Sequence, residues 1–431
     1  MAIMWPNIHY FPLMRADQTF DQPADEFTVP RQTADPLINP ARARLSELEL
    51  PVDSHAPETG ASRSGAQVPP KSFYVPELDS LRFLAFLGVF AFHTRFRYAG
   101  LSPALGNMIL TIDGAGAFGV DLFFVLSAYL ITNLLLREKR TTGSLNVSAF
   151  YLRRILRIWP LYFFFLGIAS LLPLLDAAQH LGWKYLAGYS LLTGNWVTIL
   201  FGVPSSVANP LWSISMEEQF YLCWPALVKR LSIRGLGLAA IVMLITSNLT
   251  RLLVFVLIHP RNESIWFNTF TRLDPIALGI LLALLLRAKG IGLGGFGRML
   301  LLCVSLMALL AVSRYADLTG NLRPASVVGL VGYPIVALGC SGIFLAMLGV
   351  KAHIVRNAAL IYLGKISYGL YVYHALGIWI AERLFGSVHG AAGLAAALCF
   401  TIVLASVSYH FLELPFLRWK KRFTQVPSRP I

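Results

Sequence analysis

Charge is scarce in this sequence. Asp, Glu, Lys and Arg make up 13% of its 431 residues and 56% are hydrophobic, whereas a soluble domain carries about 25% charged residues. The apolar residues fall in blocks of about twenty, the length that crosses a bilayer. That pattern excludes a large soluble core, which would be built from shorter segments with polar faces between them. Cysteine is also rare. Cys223, Cys303, Cys340 and Cys399 all sit inside apolar stretches, and no pair has a metal or redox spacing. Buried free cysteine behaves as a small hydrophobe, so no metal site is expected and the cysteines do not indicate a compartment. The chain does not open on a basic segment, an apolar core and a small-residue cleavage site, so no signal peptide is expected. No loop between the apolar blocks is long enough for a globular domain. No internal repeat of the inverted kind common in transporters is visible.

What is present is a polar tail followed by apolar blocks. Residues 1–72 are rich in Pro, Ala, Asp, Glu, Arg and Ser without sustained periodicity. Such a segment buries too little apolar surface to offset its ordering entropy, and a disordered tail is expected. Eleven apolar blocks follow, at 78–98, 118–136, 155–175, 185–201, 211–229, 235–258, 272–286, 299–313, 326–349, 358–384 and 391–414. Five segments are basic: Arg137 to Arg157, Lys229 to Arg234, Arg287 to Arg298, Lys351 to Arg356, and Arg418 to Arg422. Lys and Arg gather in cytoplasmic loops, which accounts for the net charge of +14 better than nucleic-acid binding does. All five fall on one side only if the block at 185–201 does not span. That block contains Gly188, Gly194, Asn195 and Trp196, which suit an interfacial or broken helix. The expectation is an all-α integral membrane protein with ten transmembrane helices and one interfacial or re-entrant helix. Both termini are then cytoplasmic, with a basic tail at 420–431 closing a membrane domain at 73–419.

Ionisable residues at membrane depth are costly, at least ~2.5 kcal/mol each on insertion scales, and default to functional candidates. Arg82 and His93 lie eleven residues apart on the first span. That is close to three helical turns, so they share one face, separated by roughly 16 Å along the axis. Asp121 on the second span, and Glu217 and Glu218 on the span at 211–229, reach a depth similar to that of His93. A carboxylate beside an imidazole fixes its tautomer and raises its basicity, although depth alone leaves each helix's rotation open, and a purely structural buried ion pair is the alternative for one of these carboxylates. Arg153, Arg154 and Arg157 precede the third span, and Arg154 and Arg157 share a face at i and i+3. That spacing suits a polyanion; simple topological anchoring is the bland alternative. Arg251, Arg272, Asp274, His374, His410 and Glu413 also lie in or beside spans. Taken singly, each reads as structural.

Seven strings occur in order: LDSLRFLAFLGVFAFH (78–93), GVDLFFVLSAYLIT (119–132), FYLRRILRIWPLYF (150–163), LWSISMEEQFYLCWP (211–225), RLDPIALGILLA (272–283), LGKISYGLYVYH (363–374) and FLELPFLRW (411–419). Together they resemble acyltransferase family 3, the multi-span bacterial O-acyltransferases that modify cell-surface polysaccharides and related glycans. The family's Arg and His separated by ten residues fall on Arg82 and His93, and its Arg-x-x-Arg on Arg154 and Arg157. The second-span string departs from the family in having Ala128 for Gly and Tyr129 for Phe; the added methyl group, at a helix contact, is expected to narrow a passage without touching a proposed catalytic group. Many members also carry a fused hydrolase-like domain, for which this chain has no room.

The resemblance implies a bacterial inner-membrane enzyme with an acyl-CoA donor, most often acetyl-CoA, bound from the cytoplasm. Arg153, Arg154 and Arg157 would receive its phosphates and Arg82 would contact it deeper in the bundle. His93 would act as general base or transient nucleophile, Asp121 would orient His93, and Glu217 or Glu218 would help position the acceptor. The implied acceptor is a hydroxyl of a glycan or its lipid-linked precursor. A secondary transporter with a charged path, and a silent subunit of a glycan-synthesis complex, are the competing readings.

Overall fold

The computed structural model describes residues 74–94, 102–258, 262–288, 292–316, 318, 327–353, 355–386 and 390–424. The polar tail expected at 1–72 lies outside the described residues. Among those described, the structure is helical and contains no strand. In order the helices are α1 (Pro76–Thr94), α2 (Pro103–Gly116), α3 (Gly119–Thr142), α4 (Val147–Leu171), α5 (Trp183–Ser190), α6 (Gly194–Phe201), α7 (Trp212–Arg230) and α8 (Ile233–Ile258). They continue as α9 (Asn262–Trp266), α10 (Leu273–Ala288), α11 (Gly295–Tyr315), α12 (Val327–Met347), α13 (Ala358–Lys365), α14 (Ser367–Phe385), α15 (Ala391–Ser408) and α16 (Leu414–Lys420). One π-helical turn at Tyr409–Glu413 joins the last two.

Among the described residues, six helical runs are long and apolar enough to cross a membrane: 103–142, 147–174, 233–257, 295–315, 327–347 and 391–423. The charged helices α1 and α7, and the shorter α10, are not among them. Burial divides the six. Only 17% of the most apolar windows of α8 and α11 is buried, against 67% for the run containing α3. Leu238, Ile245, Leu257 and Met307 are each at least 60% exposed. Side chains of this size favour leaving water by about 1.5–3 kcal/mol each when buried. A hydrocarbon surround satisfies that preference on the outer helices, and the protein is a membrane protein with α3 near its centre.

The block at 185–201 is not one helix. It forms α5 and α6, of eight residues each, about 12 Å long apiece and well short of the ~30 Å hydrocarbon core. The chain reverses at Leu192, which has φ +57°. Irregular backbone at membrane depth needs partners within the protein, and here it has them. The Gly194 amide donates to Ser215 Oγ (3.3 Å), and buried Asn195 donates to Phe267 O (3.1 Å) and Thr269 Oγ1 (2.9 Å).

The segment 99–117, expected to be a loop, instead contains α2. Ser102 caps it by accepting from the Leu105 amide, with Pro103 opening the first turn, a position where proline's missing N–H costs nothing. It read as a loop because it falls between two apolar blocks and carries few Lys or Arg; Gly106, Gly114 and Gly116 are poor helix formers that packing overrides. Ser313 Oγ of α11 donates to Thr111 O at 2.8 Å, fastening α2 in place.

Two close approaches set the spacing of the central helices. A side chain on Gly364 of α13 would collide with the Asp79 carbonyl of α1, so glycine lets α13 pass beside the first turns of α1. On α10, a Cβ at Gly279 would lie 2.5 Å from Val125 O and 2.9 Å from the Ala128 Cβ. The Ala128 methyl therefore occupies the seam between α3 and α10, where glycine makes room for it. Its neighbour Tyr129 stacks on Phe344 at 4.6 Å.

Candidate active site

Two groups of polar side chains are linked by α1 and α7. The first is a basic cleft. Arg82 on α1, Arg153, Arg154 and Arg157 on α4, and Lys420 at the end of α16 line it with Asp79, Glu138 and Tyr74. Among the described residues that is five cations against two carboxylates. α4 delivers its three arginines because Asn146 caps the helix, accepting from the Ala149 amide at 2.9 Å. The arginines are not equivalent. Arg153 is buried, pairs with Glu138 at 2.7 Å and donates to Phe423 O at 2.8 Å, which ties α3, α4 and the C-terminal segment together. Arg154 stacks over Tyr221 of α7 at 4.7 Å. Stacking fixes the guanidinium plane and uses none of its N–H donors. Arg82 stands 3.5 Å from Asp79 one turn away.

The second group centres on His93, at the other end of α1. Its Nδ1 lies 2.8 Å from Val89 O. A carbonyl oxygen can only accept, so Nδ1 carries the proton, and in the neutral ring the lone pair is on Nε2. Beside it stands a residue that reads as structural in the sequence. The His374 ring on α14 is 4.8 Å from that of His93, at 66°. His374 Nδ1 lies 2.5 Å from Tyr371 O, which assigns the same tautomer. His374 is completely buried, and its Nε2 has no hydrogen-bond partner among the described residues.

Helix α7 connects the two groups. Near its start, Ser213 is hydrogen-bonded to the Tyr371 hydroxyl at 2.6 Å, and the Tyr371 ring lies 5.5 Å from His374. One turn on, Glu217 accepts from Ser127 of α3 and feels the charges of Arg154 and Arg82. Glu218 accepts from Trp159 Nε1 at 3.2 Å. A further turn brings Tyr221 beneath Arg154. The two glutamates thus lie between the histidine pair and the arginines, which depth alone could not reveal.

Asp121 stands in a buried ion pair, the structural alternative for these carboxylates. It was expected to orient His93, but its carboxylate pairs with Arg272 at 2.9 Å, both groups being almost fully buried. Val89 O holds the His93 Nδ1 instead. Arg272 stacks on Trp266 at 4.1 Å. Close by, Asp274 binds Arg251 at 2.8 Å and accepts from Ser247 at 2.6 Å. These two arginines and two aspartates form a buried, internally neutral cluster joining α3, α8 and α10. Sequence reasoning missed His374 and this pairing; the one available signal was that His374 and Arg272 both lie within the ordered strings.

The chain belongs to acyltransferase family 3: the family model described as an acyltransferase domain matches residues 75–410. It is 28% identical to the peptidoglycan O-acetyltransferase OatA of Listeria monocytogenes over 79% of this chain and 56% of that protein. It is 28% identical to YrhL of Bacillus subtilis strain 168, provisionally named a peptidoglycan O-acetyltransferase, over 79% and 55%. Identity is 27% to a protein of Staphylococcus aureus strain COL provisionally named an O-acetyltransferase, over 80% and 58%. The chain spans a little over half the length of these relatives. No solved structure matches it.

Proposed function

We propose that this chain is a membrane O-acyltransferase that moves an acyl group, acetyl in the first instance, from acyl-CoA to a hydroxyl of a cell-surface glycan or its lipid-linked precursor. One observation carries the reading: α1 and α7 both run from a cleft rich in arginine to a pair of histidines. Acyl-CoA has the matching shape, with phosphates at one end and a thioester at the end of a long thin arm. Arg154, Arg157 and Arg82 receive the phosphates, since guanidinium forks fit phosphate oxygens. Arg153 supports the cleft through Glu138.

At the other end, His93 Nε2 takes the proton of the acceptor hydroxyl while its oxygen bonds to the acyl carbon. The C–S bond breaks, and the thiolate takes the proton back from His93. Glu217 and Glu218 line the route between the two ends. In this reading the chain crosses the bacterial inner membrane ten times, with charged helices such as α1 and α7 joining the six apolar runs as spans, and both termini and the arginine cleft lie on the cytoplasmic side. Residues 73–419 form the catalytic unit, between a polar tail at 1–72 and a basic tail at 420–431.

The test is transfer of labelled acetyl from acetyl-CoA by purified protein in lipid nanodiscs. His93→Ala is expected to lose transfer by at least ~100-fold, the scale of a general base, and to keep donor binding. Full activity in His93→Ala would sink the mechanism. Glycan movement without any acetyl transfer would favour a transporter.

A further inference from the structure

His374 has no part in the proton transfers assigned to His93, yet it is fully buried 4.8 Å from that ring with an Nε2 that is unpartnered among the described residues. Its tautomer is set, because Nδ1 is committed to Tyr371 O. Its ring packs against Phe86 at 6.4 Å and Tyr371 at 5.5 Å, an apolar surround in which a second, unpaired proton would be costly. His374 therefore holds one free lone pair and no donor, on a ring beside that of His93. It cannot stabilise an oxyanion on the acyl carbon, which needs donors. It can only accept.

We propose that His374 Nε2 accepts a hydrogen bond from a second donor on the acceptor, a hydroxyl or amide N–H next to the hydroxyl that His93 deprotonates. This rests on the O-acyltransferase reading and sharpens it. The acceptor is a sugar carrying adjacent donors, rather than an isolated alcohol. The physical reason is the cost of a buried acceptor left unmade. A site built to bind a substrate O–H rejects the analogue lacking it far more strongly than an apolar pocket rejects a missing methylene. His374 is thus a specificity-determining residue.

The experiment uses the full chain in nanodiscs, labelled acetyl-CoA, and a panel of pyranoside probes, each compared with its monodeoxy derivatives. With wild type, the analogue lacking the acylated hydroxyl is inert. One further monodeoxy (or deacetamido) analogue is expected to lose about 100-fold in kcat/KM. His374→Phe keeps a ring of similar size and removes the acceptor. It should lower kcat/KM for the full sugar about 100-fold while leaving that second analogue unchanged, so that discrimination collapses. His374→Gln, which restores an acceptor oxygen, should recover part of the preference. Wild-type discrimination persisting in His374→Phe overturns the inference and leaves the O-acyltransferase reading intact. Equal loss on every probe in both variants also overturns it, since a merely structural role behaves that way. Wild type acylating no pyranoside overturns the O-acyltransferase reading itself.

Discussion

The molecule gathers arginines in two places, and the two are built in opposite ways. In the cluster of Arg251, Arg272, Asp121 and Asp274, each guanidinium has its carboxylate within 2.9 Å and every side chain is almost fully buried. Two charges meet two. In the cleft of Arg82, Arg153, Arg154, Arg157 and Lys420, two carboxylates and five cations form the charged lining among the described residues, with Glu217, Glu218 and Glu413 acting on the arginines from outside it. Removing charges from water is repaid only when they are paired, so the neutral cluster makes sense as a keystone of the bundle. The cleft has a surplus of positive charge that suits an incoming polyanion. The same residue type thus serves packing in one place and binding in the other, and the local charge balance distinguishes them.

Breaking the neutral cluster should have the largest effect. Arg272→Ala or Asp121→Ala leaves an uncompensated buried charge and should cost about 3–5 kcal/mol of stability, read as a large drop in the thermal midpoint of the purified protein. The double variant Asp121→Leu with Arg272→Met should recover much of it and retain acetyl transfer. If it is stable but inactive, Asp121 has a role beyond the pair. Arg153 sharpens the contrast from within the cleft, because it is built like the cluster. Arg153→Ala should lower the midpoint by an amount matching loss of a charge-assisted contact, roughly 1.5–3 kcal/mol, with donor affinity little changed.

The smallest effect belongs to a third arrangement, exposed on one side. Asp176, in the loop after α4, accepts from Arg383 and from Trp379 Nε1 at 2.8 Å. Those hydrogen bonds, with Arg383 first, hold its carboxyl below the usual carboxylate range. Its folded pKa is depressed, so the stabilisation is present above the unfolded value of about 3.9 and is lost as pH falls through the lower folded value. Arg383 is half-exposed, and solvent screening keeps the contribution modest. The midpoint of Asp176→Asn should lie slightly below wild type at pH 7, and the gap should close in acid. A gap that widens in acid would contradict the assignment.

Much of this was legible in the sequence where one helix encodes the answer. Arg82 and His93 share a face because both lie on α1, and the break within 185–201 announced itself through Gly194 and Asn195. Other features needed the folded chain. Asp121 and His93 agree in depth, but the rotation of α3 turns the carboxylate to Arg272. His374 lies on α14, and nothing in its own string says that α14 packs against the end of α1. Helix α2 fell between two apolar blocks and read as their connection, and its close contact with α1 at Gly88 and Gly116 exists only in the folded chain.

The contrast between the two arginine sites comes to a point in donor binding. Labelled acetyl-CoA binding should be measured on wild type and on Arg154→Ala with Arg157→Ala, alongside the thermal midpoint of each. The account predicts affinity lower by about 10- to 100-fold, the scale of one or two charge-assisted hydrogen bonds, and a nearly unchanged midpoint. Unchanged affinity would contradict it, leaving those arginines as anchors of topology alone.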